Sequence, residues 1–241
     1  LQEESDALRA YYEQAGILIA RPAGGTSCCL AISAKGGTNA ENHNHNDVGS
    51  YAVALGSETM VGDQGGPNSY PGDYFNGDAP QKYKIKGSFG HPVPVVDGRT
   101  QSSGGKAKGV VLQKEFTNEK DVFSIDYTSA YSTPNLDKLI RTFVYDRQGE
   151  GNFTVGDEFT AKTPIRFETA ITTRADWKIL DDTHLLLATD SEQMIVAIEA
   201  SGKVAFTSET IEVNSPAYTR IGIALKNQSK EGYIRLKMYT K

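Results

Sequence analysis

The 241-residue chain has little cysteine, tryptophan or methionine: two, one and three residues respectively. Its cysteines, Cys28 and Cys29, are neighbours, and bridging adjacent residues strains the backbone. A disulfide framework is thereby excluded, and both are expected as small apolar residues of a buried strand. No run approaches the roughly 18 consecutive apolar residues of a membrane-spanning helix, and no basic stretch followed by an apolar one opens the chain. Positive charge is not in excess either. The 25 Lys and Arg face 30 Asp and Glu, a net charge of -5 with no basic stripe, which argues against a general nucleic-acid binder. A basic pocket for a polyanion remains open.

Glycine is abundant, 24 residues against 9 prolines, and a chain of this length can bury a core connected by many turns. The polar opening LQEESDALRAYYEQAG starts at Leu1 rather than Met, as if cut from a longer protein. Within it Leu8, Tyr11, Tyr12 and Ala15 recur at helical spacing, which predicts one short N-terminal helix over Ser5–Ala15, capped by Ser5 and ended by Gly16.

From Ile17 onward apolar positions alternate with period two. Phe123, Ile125 and Tyr127 share a face, as do Ile165, Phe167, Thr169 and Ile171, then Ile221, Ile223 and Leu225, then Ile234, Leu236 and Met238. The polar, Gly-containing stretches Asp146–Asn152, Glu199–Lys203 and Lys226–Gly232 carry hairpin chemistry. About 14 to 16 strand candidates predict an all-β fold, a large two-sheet antiparallel β-sandwich. Gly62–Lys108 breaks the pattern with ten Gly and five Pro interleaved with Tyr70, Tyr74, Phe75, Tyr83 and Phe89. A loop this long inside a compact domain is expected to bind or to line an active site.

The chemistry concentrates in Glu41-Asn42-His43-Asn44-His45-Asn46-Asp47. In an extended strand His43, His45 and Asp47 would project together, two imidazoles and a carboxylate that suit Zn²⁺. A hydrogen-bonded polar cluster without metal is the alternative. Asp63, in Val61-Gly62-Asp63-Gln64-Gly65-Gly66, and His91, in Gly90-His91-Pro92, offer further ligands, whereas His184 sits alone in a polar turn and reads as solvated. The H-x-H-x-D-H pattern of metallo-β-lactamases fails at Val48.

Taken in order, Arg21-Pro22, Asn42-His43-x-His45-Asn46-Asp47-x-Gly49-Ser50-Tyr51, Val61-Gly62-Asp63-x-Gly65-Gly66 and Gly90-His91-Pro92-Val93-Pro94-Val95-Val96-Asp97-Gly98 resemble the C-terminal β-sandwich domain of heparinase II/III-like polysaccharide lyases. The strands Leu139–Asp146 and Phe153–Phe159 are similar to that family as well. The resemblance implies a supersandwich-like domain over residues 17–241, preceded at 1–16 by the remnant of an α-helical toroid domain. It implies a structural zinc held by His45, Asp63 and His91, with Asn42 and His43 acting on the substrate. Asp47 is left to orient an imidazole. Tyr70 and Tyr74 are candidates for lining the cleft, and Arg141 for pairing with an acidic sugar. The implied reaction is β-elimination on a uronic-acid polysaccharide, with the principal base on the toroid and the protein periplasmic or secreted. The competing function classes are a noncatalytic carbohydrate-binding module and a sandwich whose metal braces a partner-binding loop.

Overall fold

The computed structural model describes residues 7–63, 65–212 and 216–241. In chain order its strands are β1 (Arg9–Tyr12), β2 (Ile17–Ala20), β3 (Leu30–Lys35), β4 (Thr38–Asn39), β5 (Tyr51–Leu55), β6 (Glu58–Val61), β7 (Val95–Val96), β8 (Gly104–Lys108), β9 (Val110–Phe116) and β10 (Lys120–Asp126). There follow β11 (Leu136–Asp146), β12 (Asn152–Ile165), β13 (Phe167–Thr173), β14 (Asp176–Asp181), β15 (His184–Ala188), β16 (Gln193–Ala200), β17 (Val204–Ile211), β18 (Tyr218–Leu225) and β19 (Ser229–Thr240). A single α-helical turn, α1 (Ala79–Lys82), lies in the long loop.

One layer of the sandwich is an eight-stranded sheet in the order β14-β15-β16-β19-β12-β11-β10-β9. The facing layer is assembled from two sheets, β1-β2-β3-β5-β6 and β17-β18-β13-β7. They meet where β6 runs beside β13: the Gly62 amide donates to the Thr172 carbonyl at 3.0 Å, and the Thr172 and Thr173 hydroxyls donate to the carbonyls of Gly62 and Met60 at 2.5 and 2.6 Å. Every strand pairing is antiparallel, and alternation turns one face of each strand inward. The predicted faces of Phe123, Ile125 and Tyr127 and of Ile234, Leu236 and Met238 are buried. Between the layers Tyr51 of β5 lies 6.3 and 6.0 Å from the rings of Phe143 and Phe153, and Phe159 stacks on Phe167 at 4.6 Å. Truncating one such aromatic to Ala costs about 3–5 kcal/mol.

Three sequence expectations are corrected. The N-terminal segment is a strand rather than a helix. Arg9–Tyr12 pairs with Ile17–Ala20, and Gly16 turns between them at φ 62°, so close to Gly37 that a Cβ would meet its amide nitrogen at 2.7 Å. Tyr11 packs 5.7 Å from both Phe116 and Phe123, and this tertiary contact overrides the helical spacing. The described part of 1–16 therefore belongs to the sandwich and not to a helical linker, while Ser5 lies outside the described residues. Glu199–Lys203 and Lys226–Gly232 are not hairpins but crossings between layers, since β16 and β19 belong to the large sheet and β17 and β18 to the facing one. Asp146–Asn152 is the hairpin expected. Both cysteines precede β3, and Cys29 is exposed.

Candidate metal centre

The segment between β4 and β5 is not extended. His43 adopts φ 58° in a turn, where the Asn44 amide donates to the Glu41 carbonyl, so the imidazoles of His43 and His45 diverge. The stretch after His45 is held from three directions. The Asn46 amide donates to the Lys86 carbonyl at 2.9 Å, and its side chain reaches the Gln101 carbonyl and Ser103 Oγ at 3.3 and 3.0 Å. Gln101, buried, accepts from the Val48 amide and the Asn39 side chain and donates to the Val48 carbonyl. Asp47 accepts from Lys35 Nζ at 2.7 Å and, although the charge of His91 acts on it, makes no hydrogen bond to an imidazole among the described residues, so an ion pair stands where the orienting bond was expected.

His45 points toward Asp63, just beyond β6, and His91, just beyond the short 3₁₀ turn Ser88–Gly90. One ligand atom from each lies within 4.8 Å of the others. His91 Nδ1 is 3.1 Å from Asp63 Oδ2, and the His45 and His91 rings are 5.2 Å apart. His91 is buried, and neither of its ring nitrogens has a hydrogen-bond partner; the contact with Asp63 lacks hydrogen-bond alignment. Two donors on one tetrahedral ion at metal–ligand distances of about 2.0–2.2 Å stand about 3.3 Å apart. A buried nitrogen left unsatisfied costs about 1–3 kcal/mol. Both facts fit a cation shared by the three residues, with a fourth position open.

The charges follow the same geometry. Burial, reinforced by repulsion from His91, pushes the His45 pKa down to about 4, so the ring is a neutral donor at neutral pH. Burial disfavours the Asp63 carboxylate, but His91, the Gly65 amide and His45 together outweigh it and hold the group well below the usual range. Tyr74 Oη stands 3.1 Å from His45 Nε2, the type of contact that fixes a metal-ligating imidazole. Tyr74 is buried, and burial, with the nearby Tyr70 and Asp63, raises its pKa to about 12. It braces the site and is not a cleft wall. Tyr70 and Phe75, 57% and 53% exposed, flank it with ring centroids 5.0 and 5.4 Å away.

Asn42 and His43 are exposed and open onto a pocket of about 620 Å³ that Asn44, Asn46, Phe75 and Lys86 also line, with the His43 ring 5.1 Å from Phe75. Arg141, expected to meet an acidic sugar, is fully buried under the centre. It makes a two-pronged pair with Asp157, at 2.7 and 2.6 Å, and donates from Nη1 to the carbonyls of Gly49 and Pro92 at 2.7 and 2.8 Å. It therefore ties the His45 loop to the His91 loop from below. His184 lies apart, paired with Asp181 in its exposed turn. Phe75 is one of the loop aromatics the sequence marks, but Lys86 and Gln101 are not; nothing in their spacing marks them, and only the folded loop brings them to the site.

No known protein family profile matches the chain, and no curated protein matches it by sequence. Solved structures do. The chain is similar to heparinase III, with a TM-score of 0.74 and 17% identity over 96% of this chain and 36% of that one. It is also similar to the heparan sulfate lyase HepC from Pedobacter heparinus, with a TM-score of 0.77 and 13% identity over 99% of this chain and 37% of that one. At such identities the likeness is one of fold, and the chain spans little more than a third of the length of these lyases.

Proposed function

We propose that this chain is the β-sandwich portion of a polysaccharide lyase that cleaves a uronic-acid polysaccharide by β-elimination. His45, Asp63 and His91 would hold a structural zinc, and Asn42 and His43 would act on the sugar. The observation that carries the reading is the divergence of the two imidazoles: His45 turns to the Asp63–His91 pair, while His43 opens onto the pocket beside Phe75. The fold shared with two heparan-type lyases supports the same reading.

The reaction removes the sugar C5 proton, collects charge on the C6 carboxylate and expels the glycosidic oxygen. The C5 proton is barely acidic while the carboxylate keeps its full charge, so donors must neutralise it in the transition state. The Asn42 amide and an N–H of the His43 imidazole are such donors. Tyr74, bonded to His45 and with a pKa raised to about 12, is not the base; in this reading that group comes from the α-helical toroid domain, and the exposed Tyr70 offers a stacking face. The zinc, when bound, supplies a cross-link between the loops at 45, 63 and 91 and no step of the reaction. A periplasmic or secreted location accords with a polymeric substrate.

The test uses the full-length protein and follows the ultraviolet absorbance of the unsaturated uronate product. His43→Ala should lower kcat by about 100-fold or more, while the 241-residue chain alone shows little or no turnover. A His43→Ala enzyme within threefold of wild type would overturn the assignment. Unchanged polysaccharide affinity together with absent turnover in the wild type would favour a noncatalytic binding module.

A further inference from the structure

Among the described residues four cationic ones, Arg141, Arg147, Arg220 and Lys86, keep less than a tenth of their surface exposed. Three of them meet a carboxylate: Arg141 pairs with Asp157, Arg147 with Asp121 and Arg220 with Glu168. Lys86 does not. No carboxylate of the described residues lies within ion-pair distance of its Nζ, whose one protein acceptor is the Tyr74 carbonyl at 2.5 Å. The ammonium carries three donors, so two remain without a protein acceptor among the described residues. The faces of Tyr74 and Phe75, at 4.8 and 4.9 Å, flank it, and this partial solvation does not replace a counter-charge. Burial accordingly lowers its pKa. A buried charge is ordinarily paired, because desolvation alone costs several kcal/mol.

Lys86 is also held in place. Its carbonyl accepts the Asn46 amide at 2.9 Å, and its own amide donates to the Tyr83 carbonyl at 2.9 Å. It lines the same pocket as Asn42 and His43. We propose that Lys86 is the oxyanion anchor of this pocket, receiving a carboxylate or sulfate of the sugar bound against Phe75 and His43. The inference rests on the acidic-polysaccharide reading above and extends it. Asn42 and His43 are exposed polar groups, whereas Lys86 adds a buried, positioned charge, which gives the pocket its preference for anionic over neutral sugars.

The experiment is calorimetric binding to the full-length protein. The probes are polymannuronate and heparan sulfate hexasaccharides, each also in carboxyl-reduced form, and the heparan hexasaccharide in desulfated form. The variants are Lys86→Met and Lys86→Gln, the latter keeping a donor for the Tyr74 carbonyl, with folding checked by thermal melting. Wild type should lose about tenfold or more in affinity when the recognised group is removed, and the arm that shows this loss identifies carboxylate or sulfate. In the variants the native ligand should bind about tenfold more weakly, and removing that group should cause no further loss. A structural role alone would weaken binding of native and modified ligands equally, so variants that discriminate as wild type does overturn the proposal. A wild type that binds none of these oligosaccharides overturns the polysaccharide reading itself and this proposal with it.

Discussion

Replacing Arg141 by Met should do more harm than any substitution on the pocket surface. The guanidinium makes five hydrogen bonds, two to Asp157, one to Thr169 and one each to the Gly49 and Pro92 carbonyls, so its donor capacity is filled. Methionine would leave the buried Asp157 carboxylate without its counter-charge and both carbonyls without a partner. Breaking a buried pair from one side costs about 3–5 kcal/mol. At about 2–4 °C per kcal/mol for a chain of this size, that is a fall in melting temperature of about 6–20 °C. Because Gly49 follows the His45 loop and Pro92 follows His91, zinc affinity should fall as well, by about 10- to 100-fold, as for other supports of metal ligands. The assay is thermal unfolding with and without zinc, alongside competition against a chromophoric chelator. Arg141→Lys keeps the charge and loses the fork, and should cost about 1–3 kcal/mol. The double change Arg141→Met with Asp157→Leu should recover part of the stability, since it removes the orphaned charge, but not the metal affinity, since the two carbonyls stay unpaired. Arg141→Met within about 1 kcal/mol of wild type and with unchanged zinc affinity would refute the reasoning.

Asp63→Asn removes the one anionic group of the proposed zinc triad and should reduce the expected zinc, about one per chain, to a trace, measured by elemental analysis after dialysis; full loading would exclude Asp63 as a ligand. Tyr74→Phe removes the contact with His45 Nε2 while keeping the packed ring, so metal affinity should fall by about tenfold at nearly unchanged melting temperature. In metal-free protein the folded pKa of His45, about 4, lies below its ordinary value of 6.5. The unfolded chain therefore takes up a proton that the folded one refuses, and the stabilisation present above pH 6.5 is lost as the pH falls toward 4. His45→Gln should flatten the melting-temperature profile over that window, and parallel profiles for the two proteins would contradict the assignment.

The grouping of His45, Asp63 and His91 was implied by the family resemblance that the ordered motifs H-x-H, D-x-G-G and G-H-P carry, whereas strand spacing alone pointed to His43, His45 and Asp47. The inward faces of β10, β13, β18 and β19 were legible for a different reason: period-two alternation is local. What failed was whatever depends on distant partners. The Tyr11 environment, supplied by Phe116 and Phe123, turns a helix-spaced segment into β1. Polar Gly turns look alike whether the next strand folds back or crosses to the other layer. Arg141 reads as a partner for an acidic sugar until Asp157 of β12 is paired opposite it. The left-handed turn at His43, a conformation that favours glycine, overrides the strand alternation that the H-x-H spacing implied.

The long loop is pinned to the facing sheet by a small apolar cluster, in which its Tyr74 and Ile85 meet Ile211 of β17 and Tyr218 of β18, distinct from the main core. With few buried apolar side chains of its own, the loop is expected to open at a lower free energy than the sandwich on which it packs. Amide exchange should make the division visible: chelation would speed exchange over residues 74–91 and leave the interior amides of β11 and β12 at their global rate. Under the proposed reading the substrate-facing groups would ride on the least protected part of the molecule, and metal loading, rather than sheet stability, would set how much of the time the pocket exists.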